Sequence, residues 1–146
     1  MRIALFLAVL AVPSTGWSQQ CLHGPDESAS NKERRTLAVK AARFVNTAQA
    51  RHQAKTGRYV QADDLLTSAE VAELKSGPTG QGLSLATPTA IVEGFELRLT
   101  TDGRAYSFSL RDKADPCGFG YFSDDSGVIF QAYPIQPSGV VVLPPK

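Results

Sequence analysis

The stretch from Ser30 to Gly57 constrains the fold most, because it predicts one long amphipathic helix. Ser30 and Glu33 have the S-x-x-E spacing of a capping box, in which each side chain satisfies a free amide at the helix start. Gly57 follows the last turn, where a left-handed residue commonly ends a helix. At about 100° per residue, one side of this helix is apolar and the other is polar and basic. The apolar side consists of Leu37, Ala38, Ala41, Phe44, Val45 and Ala48.

A hairpin is predicted downstream, where the apolar residues change to a period of two. The strands Glu93–Thr101 and Arg104–Arg111 flank Asp102-Gly103, a dipeptide suited to a two-residue type I′ turn. This turn length predicts three apolar cross-strand pairs on one face and polar residues on the other, so the register is strongly specified. The predicted apolar pairs are Leu99 with Tyr106, Leu97 with Phe108, and Phe95 with Leu110; the polar pairs are Arg98 with Ser107 and Glu96 with Ser109.

The other predicted elements are short. Thr67 and Glu70 form a second capping box, which opens a short helix that stops at Gly77-Pro78. A helix followed by a meander with one apolar face predicts an α+β fold, with the long N-terminal helix packed across an antiparallel sheet. The remaining predicted strands are an edge strand at Leu83–Thr87, a second hairpin of Gly118–Ser123 and Val128–Tyr133 around the turn 124–127, and a last strand at Gly139–Leu143.

The first 18 residues are typical of a secretory signal peptide. Arg2 is a minimal basic region, Ile3–Val12 is an apolar region of signal-peptide length, and Pro13 breaks it. Small residues at Gly16 and Ser18 predict cleavage before Gln19, which leaves residues 19–146 as a single domain. The expected location is therefore periplasmic or secreted, with no stable membrane anchor after signal removal. An uncleaved anchor and a lipoprotein modified at Cys21 remain alternatives, although the residues before Cys21 make a poor lipobox.

The two cysteines, Cys21 and Cys117, are compatible with export. In an oxidising compartment two distant cysteines more often pair than not, so a disulfide between them is predicted, with two unpaired thiols as the alternative. Such a bridge would close a loop of nearly the whole domain.

Composition excludes several classes of function. The formal net charge is +1, so nothing in it favours nucleic acid or an anionic membrane as a partner. The basic side of the long helix is interpreted as a solvated face rather than a polyanion site. No metal or cofactor is predicted, because His23 and His52 are the two histidines and neither has ligand-type spacing to a second ligand.

Candidate catalytic residues are equally scarce. His52, on the apolar side of the helix, is interpreted as a partly packed helix-end histidine, with a pH switch as the alternative. Asp124, Asp125, Ser126 and Gly127 are predicted to form a turn, because the alternating ligands of a Ca²⁺ loop are absent. Gly77–Gly82 has no phosphate-binding signature. No catalytic residues are assigned, and an enzyme is not expected.

Two groups of segments have a family likeness. The first comprises Ala42–Gln49, Thr56–Tyr59 and Asp63–Leu65; the second comprises Gly94–Leu97, Tyr106–Phe108 and Tyr121–Ile129. Together, over about Ser30 to Tyr133, they resemble the spine helix and sheet of the globular half of bacterial type IV pilins and pseudopilins. The chain departs from that family before Ser30, where a secretory signal stands in place of the prepilin-peptidase site and apolar assembly helix.

The resemblance implies a soluble, exported, non-enzymatic pilin-like module with a protein partner in the cell envelope. It would act through its sheet face or loops as an accessory to an envelope, pilus or secretion assembly. An alternative is a secreted head domain that complements or caps filaments through helix contacts, which predicts residual apolar surface around Leu37 and Val39. A different class of function is a periplasmic small-ligand-binding or hydrolytic domain with a pocket between residues 77–82 and the sheet.

Overall fold

The chain folds into an α+β structure in which one long helix packs against a four-stranded antiparallel sheet. The computed structural model describes residues 22–24, 26–84, 87 and 91–132. The predicted signal peptide, Cys21 and the predicted strand Gly139–Leu143 lie outside these residues. The elements are α1 (Ala29–Thr56), α2 (Ala62–Leu66), α3 (Ala69–Ser76), β1 (Phe95–Thr101), β2 (Tyr106–Asp112), β3 (Gly120–Asp124) and β4 (Ile129–Ala132).

Helix α1 begins at Ala29, two residues earlier than it would if Ser30 were its N-cap. Ser28 is the N-cap, and its hydroxyl accepts a hydrogen bond from the Asn31 amide at 3.2 Å. The predicted Ser30–Glu33 capping box is therefore wrong, because Ser30 lies within the first turn and its hydroxyl contacts that of Ser28. The helix end is as predicted: Gly57 has a φ of 80° and its amide donates to the Gln53 carbonyl at 2.7 Å.

The predicted apolar side of α1 lies in the core. Phe44 is fully buried, as are Ala38, Ala41 and Ala48, while Leu37 is half-buried at the edge of the core. Alanines at these positions let the helix approach the sheet closely, and the large side chains of the sheet fill the space between the two layers.

The register of the first hairpin differs from the prediction by two residues. Leu99 pairs with Phe108 and Leu97 with Leu110, and Phe95 is opposite Asp112. A shift of two residues keeps every side chain on its predicted face, so Leu97 and Phe108 both point into the core. The polar pairs shift equally, to Arg98 with Ser109 and Glu96 with Arg111.

The longer turn explains this shift. The strands end at Thr101 and Tyr106, so four residues connect them instead of two. The Asp102 carboxylate accepts hydrogen bonds from the amides of Arg104 at 2.8 Å and Ala105 at 2.9 Å. These local bonds favour a wider turn over the two-residue turn that Asp-Gly alone predicts.

The second hairpin is confirmed within the described residues. Strands β3 and β4 pair antiparallel, and Phe122 lies opposite Phe130. Strand β3 also pairs with β2, so the sheet has the simple order β1-β2-β3-β4. The predicted end of this hairpin at Tyr133 lies outside the described residues.

The segment between α1 and the sheet differs in detail from the sequence reading. The N-cap of α3 is Ser68 rather than Thr67, and its hydroxyl accepts from the Val71 amide at 3.3 Å. Helix α2 was not predicted, and Leu65 within it is buried in the core. The predicted edge strand Leu83–Thr87 is wrong at its described residues 83, 84 and 87, which have no strand structure.

Candidate interaction site

His52 lies where α1 meets α3, and it contacts a buried acid there. Its Nδ1 lies 3.3 Å from Oε2 of Glu70, whose other carboxylate oxygen lies 3.0 Å from Nζ of Lys55. The hydrogen bond from Lys55 lowers the pKa of Glu70 to about 2, with further contributions from a backbone hydrogen bond and from His52. The same contact with Glu70 raises the pKa of Lys55. These three side chains join two helices, so they have a structural role.

The basic side of α1 is less solvated than the sequence predicts. Arg34 donates to Oδ2 of Asp112, a buried carboxylate, at 2.5 Å and lies over the Phe95 ring. Arg35 donates to Glu27 at 2.5 Å, and Lys40 donates to the carbonyl of Gln81 at 2.6 Å. These contacts attach the first half of α1 to the sheet, to the segment before the helix and to the loop 77–82.

A depression lies beside the loop 77–82, where the alternative function predicts a pocket. The depression beside it, of about 330 Å³, is lined by residues of α3 and of the loop itself, and neither a sheet residue nor His52 lines it. Its lining residues are Lys75, Ser76, Gly77, Pro78 and Gln81. The pocket between this loop and the sheet, which the alternative function requires, stays a prediction.

The turn 124–127 has the local bonding that the sequence predicts. The Asp124 carboxylate accepts hydrogen bonds from the Ser126 hydroxyl at 2.5 Å and from the Ser126 amide at 3.0 Å. These bonds lower the pKa of Asp124, the hydroxyl making the larger contribution. Gly127 has a φ of 74°, which a side chain would strain.

A hydrogen-bonded network fastens this turn to the long helix. The Asn46 side-chain amide donates to the Ser123 hydroxyl at 2.8 Å and to the Gly127 carbonyl at 3.1 Å. The Tyr106 hydroxyl donates to Oδ1 of Asn46 at 2.8 Å. One helical side chain thus binds β2, β3 and the turn after β3.

Asn46, Tyr106 and Gly127 of this network line an open groove between α1 and the turn, which we call the tyrosine groove. The rings of Tyr59 and Tyr106 meet edge to face at 4.8 Å between centroids. Burial raises the pKa of the Tyr106 hydroxyl, and the nearby Tyr59, Asp125 and Asp124 raise it further. The groove has a volume of about 520 Å³ and is lined by Asn46, Thr47, Ala50, Arg51, Ala54, Tyr59, Tyr106, Asp125, Ser126 and Gly127.

The opposite side of the same hairpin exposes an apolar surface, which we call the phenylalanine strip. It consists of Phe122, Val128 and Phe130, which are 39%, 49% and 51% exposed. In the part of the chain that the structure describes, these are the exposed large hydrophobic side chains. Phe122 and Phe130 are directly opposite each other on adjacent strands, so the strip is contiguous.

The residues beside the two predicted disulfide partners lie close together. His23 bonds to the Asp115 carboxylate and stacks on the Phe119 ring at 4.8 Å between centroids. His23 is two residues after Cys21, and Asp115 and Phe119 flank Cys117 by two residues on either side. Cys21 itself lies outside the described residues, so the pairing stays a prediction.

Two other kinds of site have no candidate among the residues that the structure describes. Across residues 22–24, 26–84, 87 and 91–132, no three histidine, cysteine or acidic side chains come together in a way that could hold a metal ion. Of the helices described here, none has the length and apolar character that crossing a membrane requires.

Comparison with known proteins identifies no relative. The chain matches no protein-family model, no curated protein and no solved structure.

Sequence reasoning missed the two amide side chains that organise this region. Asn46 was assigned to the polar side of α1, yet it is half-buried and makes the network described above. Gln49 is fully buried, and its side chain donates to the Val60 carbonyl at 2.6 Å and accepts from the Val60 amide at 3.2 Å. The signal in the sequence that could have identified them is the position of two uncharged amide side chains at the border of the apolar face of α1.

Proposed function

We propose that this chain is an exported, non-enzymatic, pilin-like module that binds a protein partner of the cell envelope through its second hairpin. The observation that carries the proposal is the phenylalanine strip. Contiguous apolar side chains on a solvent-facing sheet surface are typical of interaction sites, because water contact with them is unfavourable and a partner relieves it.

The position of the strip supports the same conclusion. The side chains of the strip are not part of the core, which takes Leu97, Phe108 and Leu110 from the inner face of the sheet. Phe122 and Phe130 instead form a cross-strand aromatic pair that faces away from α1. Aromatic side chains on a rigid element are the residue type that most often contributes binding energy at protein interfaces.

The pilin-like part of the proposal is supported by the layout of the fold. A helix of 28 residues packs against an antiparallel meander, and Phe44 lies between the two layers. This is the arrangement that the family resemblance implies, although many α+β proteins share it.

Site-specific photocrosslinking tests the proposed partner. Phe130 is replaced by the photoreactive p-benzoylphenylalanine, which retains an aromatic side chain, and cells that export the protein are irradiated. We expect a crosslinked adduct with an envelope protein, and we expect Phe122→Ser to reduce it strongly while the protein remains folded.

The matched control places the same photoreactive residue at Thr100, an exposed residue on the outer face of β1. A partner of the strip gives an adduct from position 130 and little from position 100. Equal adducts from the two positions, or none from either, would contradict the proposed function.

Export and the predicted disulfide have a separate test. Sequencing the N-terminus of the exported protein is expected to begin at Gln19, and thiol alkylation is expected to label Cys21 and Cys117 only after reduction. The packing of His23 beside Asp115 and Phe119 supports the disulfide, because it brings the two cysteine-bearing segments together. Labelling without reductant, or recovery of the protein in the cytoplasmic fraction with residues 1–18 still attached, would contradict this part of the proposal.

A further inference from the structure

The tyrosine groove is a second surface of the same hairpin, on the side that faces α1. We infer that it binds a short extended peptide segment of the partner, with an apolar side chain between an acidic and a basic residue. This inference rests on the proposed function, since it states which feature of a protein partner is recognised.

The dimensions of the groove fit such a segment. Its helical side extends from Asn46 to Ala54, which at 1.5 Å per residue is a length of about 12 Å. An extended peptide advances about 3.3 Å per residue, so roughly three to four residues fit along it. A volume of about 520 Å³ also lies within the usual range of binding sites.

The floor of the groove provides an apolar contact surface. Ala50 and Ala54 are exposed on successive turns of α1, and the Tyr59 ring lies at the end of the same groove. Small helical side chains beside an aromatic ring leave room for one apolar side chain, which would be partly removed from water there.

The rims carry opposite charges. Arg51 is on the helical rim and is half exposed, and its guanidinium lies 4.0 Å from the carboxylate of Glu73, which is 73% exposed. Asp125 is on the turn opposite and is exposed. A ligand with an acidic and a basic group on either side of an apolar one would complement both rims.

The walls are held in place before any ligand binds. Asn46 bonds to the Gly127 carbonyl and to Ser123, which fixes the turn relative to the helix, and Tyr106 is fixed by the same side chain. A groove whose walls are already ordered loses little entropy on binding, so even a short peptide can be recognised.

The probe for this inference is a phage-displayed library of linear heptapeptides panned on the full mature protein. We expect selected peptides to share an apolar or aromatic residue flanked by one acidic and one basic residue. A synthetic peptide of the selected sequence is expected to shift the NMR signals of Ala50, Ala54 and Gly127 more than those of the sheet.

Two variants make the test specific. Ala50→Leu fills the floor and is expected to abolish detectable binding, whereas Ala72→Leu, at an exposed alanine of α3, leaves it unchanged. Arg51→Glu is expected to weaken the selected peptide by about two- to fivefold, the size of an exposed ion pair, and to favour a peptide in which the acid is replaced by lysine.

The outcomes separate this inference from the proposed function. No shared peptide pattern, binding that survives Ala50→Leu, or the same NMR shifts from neutral oligosaccharides instead of peptides would overturn the groove assignment. Photocrosslinking from Phe130 would be unaffected by any of these results, and its own failure would contradict the proposed function whatever the groove binds.

Discussion

The two hairpins of the sheet, β1–β2 and β3–β4, differ in the side chains on their outer faces. The outer face of β1 and β2 is polar, with Arg98 opposite Ser109 and Thr100 opposite Ser107. The outer face of β3 and β4 carries the Phe122–Phe130 pair at the corresponding level. Both hairpins contribute to the core through their inner faces, so they differ in their outer faces, and the second exposes the apolar surface for which we propose binding.

Hydrogen bonds attach both hairpins to α1, but at different places. The first hairpin is held through Arg34, which donates to Asp112 at the end of β2. The second is held through Asn46, whose hydrogen bonds to Ser123 and to the Gly127 carbonyl fix the position of the turn. The position of the turn after β3 therefore depends on one polar side chain of the helix.

The largest expected effect is the difference in stability between mutating a phenylalanine on the inner face of the sheet and mutating one on its outer face. Phe108→Ala should lower the free energy of unfolding by about 3–5 kcal/mol, because it leaves a cavity in the core. Phe130→Ser should change it by less than about 0.5 kcal/mol, since that side chain is half exposed. Urea unfolding of the two variants measures both values, and similar losses would contradict the assignment of Phe130 to a binding surface.

Removal of the Asn46 side chain is expected to have the next largest effect. Asn46→Ala leaves the Tyr106 hydroxyl without its acceptor and should lower the free energy of unfolding by about 1–3 kcal/mol. Tyr106→Phe is the control: it should cost about 0.5–1.5 kcal/mol, because it removes one hydrogen bond while the Asn46 amide still donates to Ser123 and to the Gly127 carbonyl. A larger loss for Tyr106→Phe than for Asn46→Ala would contradict the central role given to Asn46.

The sequence predicted the hairpins better where apolar alternation decided the outcome than where turn chemistry did. Alternation assigned Leu97, Phe108 and Leu110 to the inner face, and this holds even though the register shifted by two. The turn length depended on hydrogen bonds from Asp102 to two amides, and a dipeptide rule does not include these.

The candidate site was hardly predictable, for a physical reason. A helix projection sorts side chains into apolar and polar sides, and Asn46 and Gln49 belong to neither, because they are polar groups satisfied by partners distant in sequence. The outward position of Phe122 and Phe130 needs the pairing of β3 with β4 and the location of α1, which only the folded chain provides.

Acid affects the stability of the helices through Glu70, and this contribution has to be measured before the two hairpins are compared at low pH. The pKa of Glu70 is lowered to about 2, so its carboxylate stabilises the fold above its ordinary pKa of 4.5, and this contribution is lost as the pH falls from there towards 2. Glu70→Gln should therefore melt at a lower temperature than wild type at about pH 6, and the two should converge near pH 2. Circular dichroism melting curves measure this, with Glu73→Gln, at an exposed acid of the same helix, as the control that should remain close to wild type.

The smallest effects are expected at the two turn aspartates, compared in the Glu70→Gln background. Hydrogen bonds lower the pKa values of Asp102 and Asp124, so both carboxylates favour the folded state above their ordinary pKa, and acid removes this contribution. Asp102→Asn and Asp124→Asn should each lower the melting temperature slightly at neutral pH, and the difference from the parent should fade on acidification.

Amide hydrogen exchange then locates each change, because loss of a turn bond speeds the opening of nearby amides more than that of the whole domain. Asp102→Asn should accelerate exchange at Arg104 and Ala105, and Asp124→Asn at Ser126. Since the turn after β3 lies beside both the phenylalanine strip and the tyrosine groove, only Asp124→Asn should also reduce photocrosslinking from position 130. An equal reduction by Asp102→Asn would mean that the first hairpin takes part in binding, and the contrast between the two outer faces would then have no functional meaning.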